Sequence, residues 1–223
     1  KIRSIKEREK TIKSITNLLE SLARELQGMS KSVKIQKERS DKLADILAKL
    51  GEHISPTLQR QILDLREKTN DLEEKINDLQ LRHSQIAELF KKSNTYERLK
   101  ELEKEINELE VNIRSLRNAL KKNEDMYTEF EEEICNILRR NLEELIKELE
   151  DKLIVLMRLK APAGLLDKVR KLKDKIDRIR RERLATIAEH FATLTENCES
   201  LKSQLSNYIM KVLGGNKYRV YQI

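Results

Sequence analysis

The chain has 223 residues, 38% of them charged and only 4% aromatic, with no Trp, five Gly and two Pro. That balance argues against a compact core with many reversals and fits the A/E/K/L/R-rich composition of long helices. The formal charge of +7 comes from 46 basic and 39 acidic residues mixed along the chain, and no apolar run approaches the ~18 residues of a membrane-spanning helix.

The first predicted helix covers residues 1–50. Apolar side chains recur at alternating steps of three and four, with Ile5, Ile12, Leu19, Leu26, Val33, Ser40 and Leu47 at a, and Arg8, Ile15, Leu22, Met29, Gln36, Leu43 and Leu50 at d. Such a narrow stripe must be covered by another helix, which outweighs the disorder that polarity alone would suggest. Gln36 and Ser40 put polar side chains at mid-seam, where they either fix register or loosen the packing. Leu50-Gly51-Glu52-His53-Ile54-Ser55-Pro56 punctuates the chain. Gly51 suits a left-handed residue past a helix end, Ser55 a cap, and Pro56 a first helical position. So short a connection predicts a helical hairpin.

The second helix carries Leu58, Ile62, Leu65, Thr69, Leu72, Ile76, Leu79, His83, Ile86 and Phe90 on its seam. At Ser93-Asn94-Thr95 the phase jumps, so Asn94 or Thr95 is expected to cap a new helix. The third follows Leu99, Leu102, Ile106, Leu109, Ile113, Leu116, Leu120, Tyr127, Phe130 and Ile134, stretches to a step of four at Leu138, and resumes through Leu142, Leu145, Leu149 and Leu156. Ala161-Pro162-Ala163-Gly164 forms the second turn, since proline cannot continue the helix. The last helix is predicted from Leu165 to Val212 without a break, ended by Gly214-Gly215. The β-prone Tyr218–Ile223 remains as a frayed end or as an edge for a partner's sheet. The expected fold is all-α: an elongated coiled coil of long helices with hairpin turns near 51–55 and 161–164. Its divisions are a first hairpin over 1–92, a second over 95–213, and a tail over 214–223.

Little points to chemistry. Cys135 and Cys198 form neither metal-ligand spacing nor a disulfide framework, which suits a reducing intracellular compartment, cytoplasmic or nuclear. His53, His83 and His190 have no second ligand at helical spacing. His83 reads as a polar layer, and the cysteines on or beside the seam as inert thiols. No phosphate loop, nucleotide motif or HExxH pattern occurs. Neither enzymatic activity, nor a metal, nor any cofactor is expected. The chain begins with Lys1 and lacks a signal-peptide pattern, so an excerpt of a longer protein is expected.

Charge is more informative. Nine positive residues lie between Lys168 and Arg183, opposed only by Asp174, Asp177 and Glu182, whereas Glu124 to Asp151 is rich in acids. A hairpin about Pro162 is expected to bring Asp151 near Lys173 and Glu143 near Arg181, choosing partner and orientation more than adding stability. The alternative is an exposed basic stripe for phosphate groups. No aromatic side chain interleaves the stripe to stack on bases, which disfavours nucleic acid.

Lys42-Leu43-Ala44-Asp45-Ile46-Leu47, the break Ile54-Ser55-Pro56 and the renewed seam from Leu58 carry one family likeness. The stretch Leu22 to Leu79, about a quarter of the chain, resembles the C-terminal coiled-coil tail of the linker nucleoporins on the cytoplasmic face of the nuclear pore. The resemblance implies extended helices assembling with other coiled-coil nucleoporins; it carries over no binding residue.

The expected function is a non-enzymatic coiled-coil scaffold subunit of a larger complex. Its partner-binding seam is expected at Ile12, Ile15, Leu19, Leu22, Leu26, Leu58, Ile62, Leu65, Leu72, Ile76, Leu99, Leu102, Ile106, Leu109, Ile113 and Leu116. The expected partners are other coiled-coil proteins, with a hetero-oligomer favoured over a homodimer. A membrane-curvature module of the BAR type, needing a basic face for anionic lipid, and a microtubule or kinetochore rod are the alternatives.

Overall fold

The computed structural model describes residues 2–221, with side chains over 3–214. It is all-helical, and no β-strand occurs among the described residues. Five α-helices follow in order: α1 (Ile2–Leu50), α2 (Pro56–Lys92), α3 (Tyr96–Arg158), α4 (Ala163–Arg180) and α5 (Leu184–Tyr221). A short 3-10 turn, Gly51–His53, joins the first two.

The chain divides into two compact units. Unit 1 combines Lys1–Asp45 with Pro56–Glu129, and unit 2 combines Ile46–Ser55 with Phe130–Ile223. The divisions therefore fall inside α1 and α3, not between residues 92 and 95. The first stretch of α3 lies in the same unit as α1 and α2, because one hairpin cannot cover its own stripe on both flanks.

In unit 1 the cross-helix pairs fix the directions. Contacts of α1 with α3 and with the connection just ahead of it keep a nearly constant sequence separation, 86 for Arg8–Asn94, 87 for Gln36–Asn123 and 89 for Arg39–Thr128, which is the mark of parallel helices. Between α1 and α2 the separation falls from 64 at Leu19–His83 to 36 at Lys37–Glu73 and 25 at Asp41–Arg66, so α2 runs antiparallel. The core contains Ile15 to Val33 of α1, Leu72 to Ile86 of α2 and Leu99 to Leu120 of α3, taken at three- and four-residue steps.

In unit 2, Glu150–Lys173 and Glu143–Arg180 set α4 antiparallel to the second stretch of α3. Glu148–Lys202, with Arg139 on the Glu182 carbonyl, runs α5 in the direction of α3. Leu50 and Ile54 are buried here, and the His53 ring meets the edge of Phe191 with centroids 4.8 Å apart.

Several expectations need correction. Gly51 does not adopt a left-handed conformation; among the described residues the only one with positive φ is Lys160, at 51°, in the turn after α3. The last helix is two helices, broken at Arg181–Arg183. Gly214-Gly215 does not stop α5, whose backbone continues helically to Tyr221, leaving no strand at Tyr218–Tyr221; Gln222 and Ile223 lie outside the described residues. A glycine pair disfavours a helix by only about 2 kcal/mol, which is too little to end one outright. At the N-terminus the seam runs through Thr11 rather than Ile12: Thr11 is buried, while Ile12 is 37% and Ile5 57% exposed.

Candidate functional site

Fifteen of the sixteen seam residues named above are buried within unit 1, Ile12 being the exception. The chain's own helices cover them. A partner reaches these side chains only by displacing one helix of the unit.

The apolar core of unit 1 is interrupted by a polar layer. Gln36, Thr69 and Asn123 occupy one level, one from each helix, with Ser40 and Tyr127 one turn further on, and all five are buried. Asn123 Nδ2 spends both protons there, one on Gln36 Oε1 (2.8 Å) and one on Thr69 Oγ1 (2.9 Å). Gln36 Nε2 donates to the Leu120 carbonyl at 3.0 Å. The Thr69 hydroxyl donates its one proton to the Leu65 carbonyl (2.8 Å), so the Tyr127 hydroxyl must donate to Thr69 Oγ1 across 2.6 Å. Thr69 is then saturated, with one donated and two accepted bonds.

Such a layer rewards only the register in which all three helices present their polar residue together. A heptad slip would bury these groups without partners, at about 1–3 kcal/mol each. Gln36, Ser40 and Thr69 were visible on the predicted seams, but Asn123 was missed. Continuing the step pattern from Leu116 and Leu120 to 123 and then Tyr127 would have found it. Ser40 Oγ alone in the layer has no hydrogen-bond partner. It lines a cavity of about 290 Å³ with Lys37, Asp41, Arg66, Thr69 and Asn70. His83 behaves as a polar seam residue, its Nε2 lying 2.7 Å from the Leu19 carbonyl.

Charged flanks complete the packing. Lys37–Glu73 (3.0 Å), Arg66–Asp41 (3.3 Å), Arg82–Glu105 (3.4 Å) and Arg117–Glu25 tie neighbouring helices, each pair part-exposed and worth little singly. In unit 2 the acidic part of α3 does meet basic α4, one residue from the expected partners. Glu150 takes Lys173 at 3.1 Å and Glu143 takes Arg180 at 3.0 Å. The hydrogen bond from Arg180 holds Asp177 below the usual carboxylate range, and the same contact raises Arg180.

The break between α4 and α5 has its own support. Arg139 donates through Nε to the Arg180 carbonyl (3.0 Å) and through Nη2 to the Glu182 carbonyl (3.1 Å), satisfying acceptors that the interrupted helix leaves open. Cys135 and Cys198 are both buried and free. Burial pushes the Cys198 thiol up to about 11, with the Glu199 charge adding to it. That thiol is a poor nucleophile.

Beyond the cores, the large apolar side chains left in solvent in unit 1 include Ile35 of α1, Leu63, Leu81 and Leu89 of α2, and Val111 of α3. A groove of about 310 Å³ between α2 and α3 is floored by Leu72, Leu79, Leu116 and Ala119. Among the described residues, no three His, Cys, Asp or Glu side chains gather as a metal site, and no helix is long and apolar enough to cross a membrane. No family model, curated protein or solved structure matches the chain.

Proposed function

We propose that the chain is a non-enzymatic scaffold subunit, its seams packed as coiled coils, which assembles with other coiled-coil proteins in a larger complex. The polar layer of Gln36, Thr69 and Asn123 carries this reading. It fixes how three long helices are staggered, which is useful where spacing and presentation are the output. With the seams occupied in cis, partners meet the outward faces. Ile35, Leu63, Leu81, Leu89 and Val111 stand on three different helices, so no one helix presents the whole exposed apolar set. This favours a hetero-oligomer with several modest contacts. The likeness of Leu22–Leu79 to linker nucleoporin tails makes the nuclear pore the first setting to test.

Photo-crosslinkable residues at Leu81 and Val111, with buried Ile106 as control, test this in cells. Adducts to other helical proteins are expected from the two outward positions and none from Ile106. A chain that fractionates as a free monomer, without adducts at either outward position, would overturn the reading.

A further inference from the structure

Residues 152–183 hold twelve basic and four acidic side chains, a net of +8, so the other 191 residues together carry −1 of the chain's +7. The basic balance of the whole chain is thus the property of one hairpin, the end of α3, its turn and α4. Internal pairing absorbs only part of it: Lys171, Lys173, Arg180 and Arg181 have carboxylate partners. The other eight have none: Lys175, Arg178 and Arg183 further along, and Lys152, Arg158, Lys160, Lys168 and Arg170 about the turn. The five about the turn flank it on both helices, and all but half-buried Lys152 are exposed.

The same turn is the place where the helix pattern of the chain fails. Leu153-Ile154-Val155-Leu156-Met157 is apolar all round, which a helix with one buried stripe does not need. Leu156 faces the core and is fully buried, while Ile154 is 51%, Val155 38% and Met157 54% exposed. These three cover the solvent side of the last turn of α3, with Arg158 four residues on from Ile154 in the same outward row. Glu148 pairs with Lys202 of α5, and eight residues further along each helix lie Leu156 and Met210. Met210, 72% exposed, therefore stands at the same end of unit 2.

We propose that this end of unit 2 docks on the surface of an anionic lipid bilayer, seating Ile154, Val155 and Met157 below the headgroups and the five unpaired cations that flank the turn among them. Apolar side chains ringed by unneutralised lysine and arginine match both components of an interfacial site, since apolar burial and anionic headgroups act together there. A nucleic-acid backbone would use the cations but offers nothing to the exposed aliphatic side chains. No aromatic residue occurs over 152–183 to stack on bases.

The chain lacks Trp, so Met157→Trp supplies a single fluorescent reporter at the point of contact. Vesicles of phosphatidylserine and phosphatidylcholine should shift its emission to the blue, while pure phosphatidylcholine vesicles and duplex DNA should not. In cosedimentation, Ile154→Gln with Met157→Gln should lower partitioning onto the anionic vesicles about tenfold or more. Arg158→Gln with Lys160→Gln and Lys168→Gln should lower it comparably and weaken its salt dependence. These positions are exposed, so each variant should melt as the parent does. Absence of anionic-vesicle binding overturns the proposal. So does binding that survives Ile154→Gln with Met157→Gln, or binding of the Met157→Trp chain without a blue shift, because either would mark a general polyanion surface.

Discussion

Two neighbouring polar residues in unit 1 have opposite energetic roles. Asn123 joins Gln36 to Thr69 through both of its amide protons, so Asn123→Ala strips Gln36 Oε1 of its donor and opens a small void. Urea unfolding should show a loss of about 2–4 kcal/mol with an unchanged m-value. Ser40 Oγ is buried without a partner, so Ser40→Ala should leave stability unchanged or raise it by up to about 1 kcal/mol. Equal losses for both substitutions would show that the layer is not a connected network. Cys198 gives a test in pH. Its folded pKa is about 11 against an ordinary 9.0, so the unfolded chain releases the proton first as pH rises. The contribution is complete below pH 9 and is lost towards pH 11, up to roughly 2–3 kcal/mol. A flatter alkaline slope of stability is expected for Cys198→Ala; parallel slopes would remove the thiol from the account.

At the scale of elements, the stops written in local chemistry were legible. Pro56 opens α2, Thr95 Oγ1 accepts from the Arg98 amide (3.4 Å) at the start of α3, and Pro162 precedes α4. The break at Arg181–Arg183 was not legible, because Arg-Glu-Arg favours helix and Arg183 continues the seam spacing. What supports the break is remote in sequence, the Arg139 guanidinium on two carbonyls. Arg139→Ala should cost about 1–3 kcal/mol and speed amide exchange over residues 181–187, with Arg139→Lys only partly restoring protection, since an ammonium lacks the fork that reaches both acceptors. Unchanged exchange would place the cause of the break elsewhere. The phase at Thr11 and Ile12 misled for a related reason: spacing alone cannot tell a seam residue from its neighbour where a helix begins and coverage is thin.

For the whole chain, periodicity revealed which residues are buried but not what buries them. A stripe at three- and four-residue steps looks the same whether its cover comes from the same chain or another one. The seam residues of unit 1 are covered in cis, so the proposed partner and bilayer contacts fall on the outer faces and on the apolar end of unit 2. Occupied seams also imply that the chain folds unaided. Light scattering of the isolated chain across a hundredfold range of concentration, with its helical melt at each point, tests this most directly. Cis coverage requires a 26.3 kDa particle melting at one temperature throughout. A mass of two or more chains, with helix lost on dilution and a melt that climbs with concentration, would contradict it.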